Sequence, residues 1–234
     1  MPDKQHELQR MFLIEAVKHN VLPLDDRALE RANPDIAGRP QLIQGKRQLL
    51  FGGMGRLSEY SVLATKNKSY AVTAEVVVSE DGADGVIVAQ GGVTGGWSIY
   101  AKDGNPKFCY NFLGLEHYFV TGEQVLPSGQ HQVRMEFAYD GGGLGKGGAV
   151  TLYVDGNQVG RGRVEQTEPF VYSADETLDI GVDDASSVSP DYTQKTSRFN
   201  GEVNWVEIAI DEAAEDSDHY ITAEERYRVA MARQ

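Results

Sequence analysis

Apolar residues recur every three or four positions from Glu7 to Asn20, with Leu8, Met11, Phe12, Leu13, Ile14, Ala16 and Val17 set among charges. That spacing predicts an amphipathic helix, and Asn20 and Pro23 supply its stop signals. Between Val21 and about Gly55 no period persists. Pro23, Pro34, Pro40 and short polar groups there predict an irregular strap. From Tyr70 the period becomes two, as Tyr70, Val72, Ala74, Val76 and Val78 alternate up to the turn Ser79–Gly82, and a strand follows. Val86 to Ala89 reads as a short buried strand, and Trp97 to Tyr100 as another. The turn Asp103–Pro106 then closes a hairpin onto Phe108, Tyr110 and Phe112, and Tyr118 to Val120 extends the meander. Val133, Met135, Phe137 and Tyr139 alternate, a glycine loop spans 140–148, and Val150, Leu152 and Val154 alternate up to Asp155-Gly156-Asn157, which gives two hairpins in series. Leu178 to Val182 and Val203 to Ile210 complete the set, the latter with Val203, Trp205 and Glu207 on one face and Val206, Ile208 and Ile210 on the other. Roughly ten strands at this spacing predict a mainly β, two-sheet antiparallel sandwich. Beyond it the segment from Asp211 to Asp218 is acidic, and Thr222-Ala-Glu-Glu225 offers a capping box for a closing helix through Tyr227, Val229 and Met231.

Composition sharpens this picture in three places. The chain has 234 residues, of which 41% are hydrophobic and 24% charged, enough for a full core and too apolar for bulk disorder. Its 26 glycines cluster in pairs and triplets, as turn-rich β proteins require. With 35 acidic against 22 basic side chains the formal net charge is −13, the wrong sign for releasing counterions from nucleic acid. No apolar stretch approaches the roughly 20 residues that span a bilayer, and Met1 to Arg10 is polar, so neither membrane insertion nor a signal-peptide core is expected; the compartment stays open. The single cysteine, Cys109, forms no intrachain disulfide and alternates with Phe108 and Tyr110 as a small buried hydrophobe.

The patterns that carry chemistry are few. A sandwich glycosidase needs two carboxylates on one strand face, and no Glu-x-Asp-x-Glu series occurs; Glu207 with Asp211 reads as a solvated strand end. Gly-x-Ser-x-Gly is absent, so none of the five histidines has a serine in a nucleophile elbow. Zinc spacing is absent too. Gly143-Leu-Gly-Lys-Gly-Gly148 is not a phosphate loop, because Gly147 and a strand follow Lys146 where Ser or Thr and a helix are required. Calcium is the best metal candidate: Asp179, Asp183, Asp184 and Asp191 surround one turn-rich loop, and a hard cation takes several oxygens. The alternative is that they cap turns and face water. Trp97 and Tyr100, beside Gly95-Gly96, are the candidates for stacking on a sugar ring, against the alternative of ordinary core aromatics.

Leu126–Arg134 before a strand, Val154-Asp-Gly156 in the next hairpin, Ile180-Gly181, and Phe199–Val203 opening the last strand occur in an order that resembles a laminin-G-like or concanavalin A-like jelly roll. Adding Glu15–Arg27, Gly38-Arg-Pro40, Trp97–Gly104, Tyr139–Gly143 and Gly145–Gly148, nearly the whole chain is similar to the C-terminal region of long bacterial arylsulfatases. That resemblance implies three parts: 1–58, a helix and linker joining to a sulfatase catalytic domain that lies outside this chain; 59–211, the laminin-G-like sandwich; and 212–234, an acidic linker and short helix. It implies a non-catalytic accessory domain of a sulfuric ester hydrolase, serving the catalytic domain, oligomerisation or glycan binding. The family's Cys/Ser-x-Pro-x-Arg nucleophile motif does not occur, so no catalytic residue carries over and the chain alone is expected to be inactive. Any calcium would be structural. The competing expectation is a stand-alone lectin-like carbohydrate-binding module; a sandwich hydrolase or lyase ranks third for want of paired carboxylates. If the strap serves an absent domain, Val21 to Leu24 should expose apolar surface.

Overall fold

Strand periodicity resolves into twelve strands in the computed structural model, which describes residues 2–215 and 218–232. A helix α1 (Pro2–Lys18) leads into a strap containing the single-turn α2 (Pro34–Ala37). The strands follow as β1 (Arg47–Phe51), β2 (Leu57–Ser58), β3 (Tyr70–Val78), β4 (Gly85–Gly92), β5 (Gly95–Lys102), β6 (Asn105–Phe112), β7 (Glu116–Thr121), β8 (Gly129–Tyr139), β9 (Lys146–Val154), β10 (Asn157–Gln166), β11 (Thr177–Ile180) and β12 (Glu202–Ile210). A closing helix α3 (Ala223–Ala232) carries the expected capping box, with the Glu225 N–H on Thr222 Oγ1 and the Thr222 N–H on Glu225 Oε2.

One sheet runs β1-β12-β3-β8-β9-β10 and the other β2-β11-β4-β5-β6-β7. All pairings between these strands are antiparallel. The chain leaves the first sheet after β3, runs β4 to β7 as a meander in the second, returns for β8 to β10, and crosses again for β11 and β12. That order is a jelly-roll sandwich. The inner faces meet in one core that includes Val72, Val76, Ile99, Phe108, Met135 and Val206. Among the described residues no helix is long and apolar enough to cross a membrane.

Three sequence expectations change. The strap does not stay irregular to residue 58: β1 pairs with β12 and β2 with β11, so both sheets take their first strand from the segment read as linker. Along β12, Val203 pairs with Val76 and Trp205 with Glu75, leaving Asn204 as an extra residue. This bulge turns Val203 into the main core beside Val206 and Ile208, while Trp205 packs outside with Ile221. Glu207 is also no solvated edge. It is 4% exposed and holds Arg47 Nη1 at 2.5 Å and Arg228 Nη2 at 3.1 Å. The cause is the C-terminal segment, which folds back over this polar face, with Arg134 Nη2 donating to Ala214 O at 2.7 Å and Gln132 exchanging two hydrogen bonds with Ile221. Residues 216, 217, 233 and 234 of that segment lie outside the described residues, as does the side chain of Val229.

Candidate functional site: a cleft beneath the strap

The strap lies against the open edge of the sandwich because several polar side chains tie it down. Asn33, 2% exposed, caps α2 by accepting the Asp35 N–H on Oδ1 at 3.0 Å, and its amide donates to Pro169 O at 2.9 Å. Lys68 Nζ meets Asp35 at 2.7 Å, and Arg39 lies over the Tyr60 ring, 5.9 Å from its centroid. On the sandwich side the Gln48 carboxamide binds Ser61 O at 3.0 Å and Leu63 N at 2.7 Å, fixing the chain from Tyr60 to Leu63 against β1.

Between strap and sandwich is a cleft of about 320 Å³, at the small end of ligand sites. Leu42, Ile43, Val62 and Phe170 give it apolar walls. Tyr60, 45% exposed, presents a ring at its side. Asn33, Arg39 and Gln41 of the strap and Glu59, Lys66 and Gln90 of the sandwich side complete the lining. Lys66 is buried and pairs with Glu59, its ammonium 4.0 Å above the Tyr172 ring. Burial pulls the Lys66 pKa down, and the Glu59 carboxylate opposes that pull. Glu59 Oε2 accepts the Tyr172 N–H at 3.0 Å, so both of its oxygens are engaged. Gln90, on β4, accepts the Trp97 indole N–H on Oε1 at 3.1 Å. Glu168 stands outside the lining, buried, with its N–H on Tyr110 Oη at 2.8 Å and Oε1 accepting from Leu113 N at 3.2 Å. Its Oε2 has no partner among the described residues, and burial pushes its carboxyl up to about 8.

The residues singled out by sequence lie elsewhere. Trp97 is fully buried, within ring contact of Tyr70, and presents no face to a sugar. Tyr100 is 1% exposed and points its hydroxyl at Asp191 Oδ2, 2.6 Å away. Stacking at these two positions is therefore corrected: the alternation that puts an aromatic on a sandwich strand buries it against one layer or another. Tyr100 faces outward on the second sheet, but the loop 182–199 covers that face, packing Val188 and Tyr192 onto Val86, Ala89, Tyr100 and Cys109. Cys109 is free and buried, which pushes its thiol up to about 12.

The four aspartates act separately, Asp183, Asp184 and Asp191 from that loop and Asp179 from β11. Asp183 accepts the Val188 N–H at 3.0 Å and the Tyr192 hydroxyl at 2.8 Å, and burial raises its carboxyl to about 6. Although burial opposes it, Lys107 and the Tyr100 hydroxyl hold the Asp191 carboxyl below the ordinary range. Asp184 pairs with Arg56 at 3.0 Å on the surface, and Asp179 accepts the Arg56 N–H at 2.6 Å. Among the described residues no three His, Cys, Asp or Glu groups stand where one ion would touch them all, so the calcium expectation has no ligand set in this loop. The signal was turn capping, which uses the same residues. Tyr60, Lys66 and Gln90 went unnoticed because nothing in their local spacing links them; a strap contact brings them together.

No protein-family model matches the chain. No curated protein matches it either. Among solved structures it is similar to the CBM40 domain of the Ruminococcus gnavus IT-sialidase bound to α2,3-sialyllactose, at 14% identity and TM-score 0.48, covering 76% of this chain and 96% of that one. It is similar to the LG1-3 region of the laminin α2 chain at 14% identity and TM-score 0.44, covering 73% and 30%. It is also similar to a SAP-like pentraxin from Limulus polyphemus at 14% identity and TM-score 0.39, covering 68% and 73%. These are likenesses of fold and transfer no residue. The sulfatase part of the sequence resemblance has no counterpart in them.

Proposed function

We propose that this chain is a carbohydrate-binding module whose site is the cleft beneath the strap. The observation that carries the reading is the lining itself: an exposed tyrosine ring beside buried polar groups in a small, half-enclosed cleft. A pyranose has an apolar C–H face, which an aromatic ring covers, and a rim of hydroxyls, which are lost from water only if donors and acceptors replace it. Tyr60 offers the ring, Lys66 and Gln90 the polar groups, and Ile43, Val62 and the exposed Leu42 the apolar wall. Strap and sandwich are tied before a ligand arrives, so little ordering entropy is left for binding to overcome. The test is a glycan array probed with the chain and with Tyr60→Ala. We expect a defined set of glycans to bind and the variant to lose about tenfold in affinity for them. Equal binding by the variant would remove the cleft from the account.

A second reading, in which the chain is the C-terminal accessory domain of an arylsulfatase-like enzyme, is favoured by one separate observation. Of α1 only Ala16 is buried; Phe12, Ile14 and Val17 are 49%, 56% and 67% exposed, and Val21 and Leu24 of the strap are exposed as well. That surface is what a preceding domain would cover. The two readings are compatible, since an accessory domain can hold a glycan for its enzyme.

A further inference from the structure

The buried side chains of the cleft have more hydrogen-bond donors to give than acceptors, while the half-buried Gln41 donates its amide to Asp35 and keeps a carbonyl oxygen as acceptor. Glu59 has both oxygens occupied, and Asn33 has both ends of its amide occupied. Gln90 is nine-tenths buried and spends its carbonyl oxygen on Trp97, leaving an NH₂ group that has no partner among the described residues. Arg39 uses one N–H on Arg31 O, at 2.5 Å, and meets no carboxylate within ion-pair distance among the described residues. Lys66 has one carboxylate, Glu59, within ion-pair distance of its buried charge among the described residues. The lining thus holds two cations against a single carboxylate. Glu168 behind the wall adds no negative charge near neutral pH, because burial keeps it protonated up to about 8. The chain's overall charge of −13 does not cancel this, since at physiological salt fields from distant surface groups fade over about 8 Å.

We infer that the site takes an acidic sugar, a pyranose carrying a carboxylate, with the anion on the Arg39 and Lys66 donors and a ring hydroxyl accepting from the Gln90 amide. This rests on the carbohydrate reading above and gives it a ligand class. A guanidinium matches both oxygens of a carboxylate in one plane, and a carboxylate gives a desolvated ammonium a second counter-charge. A neutral hexose would leave the donor surplus unmatched.

The experiment is calorimetric titration of the full chain at pH 7 with the methyl glycosides of glucuronate, galacturonate, glucose and galactose, and with cyclohexanecarboxylate. We expect at least one uronate to bind about tenfold or more tightly than its neutral counterpart. Two variants should erase that difference. Arg39→Gln removes the cation that meets no carboxylate among the described residues, and Leu42→Asp adds a negative charge at an exposed wall position, so neither disturbs the core. Equal affinity for uronate and hexose overturns the acidic preference and leaves the carbohydrate reading standing. Cyclohexanecarboxylate binding as tightly as the uronates overturns the carbohydrate reading, leaving only a carboxylate site. Silence from all five compounds overturns both.

Discussion

Glu168 is buried with one oxygen unpartnered, and its carboxyl sits far from the ordinary value of 4.5, at about 8. Between those two values the folded chain keeps a proton that the unfolded chain has released. The Glu168 contribution to stability therefore falls as pH rises across that window, and is level below and above it. Asp183 adds a smaller fall in the same direction between 3.8 and about 6. Glu168→Gln should flatten the upper part: from about pH 6 to 8 the parent chain loses melting temperature, and the variant holds it. Thermal unfolding scans across that range check this, and parallel curves for the two proteins would mean that Glu168 ionises freely in the folded state. None of this was legible in sequence, where Glu168 is one acid in Gln166-Thr-Glu-Pro169. Trp97 and Tyr100 were conspicuous there for the opposite reason, since size and aromaticity mark core residues as readily as sugar platforms.

Among the elements, the hairpins were readable because their turns are local. Asp103-Gly104 and Asp155-Gly156 both have positive φ at the two central residues, the conformation that Asp-Gly adopts between twisted strands. β1 and β2 were not readable, since their pairing is distant: Arg47 meets Ala209 across the first sheet, and only Leu50 of β1 is fully buried, too little to set a period. The helix α1 was readable by its spacing, yet that spacing points its apolar residues at solvent in this chain. A helix that buries only Ala16 contributes little to the sandwich. Removing residues 1–20 should therefore shift the melting temperature by no more than about 2 °C while reducing association at high concentration, as calorimetry and light scattering would read. A drop of about 8 °C or more would show that α1 supports the fold.

For the whole molecule, three coverings decide where a ligand can go. The C-terminal segment closes the polar face of the first sheet through Arg134, Gln132 and Glu207. The loop 182–199 closes the outer face of the second through Tyr192, whose hydroxyl lies between Ser98 Oγ and Asp183 Oδ2 at 2.9 and 2.8 Å. The strap closes the remaining edge incompletely, leaving the cleft lined by Tyr60, Lys66 and Gln90. The sandwich class was legible from alternation alone, but this division into covered and open surface was not, because the strap and the loop 182–199 have no sustained period and nothing local in the C-terminal segment says which face it covers. The most direct test of the cleft as binding site is amide chemical-shift mapping of the labelled chain with a glycan that it binds. The account predicts that the largest shifts gather at Arg39, Leu42, Tyr60, Lys66 and Gln90; shifts centred on the loop 182–199, with those five unmoved, would contradict it.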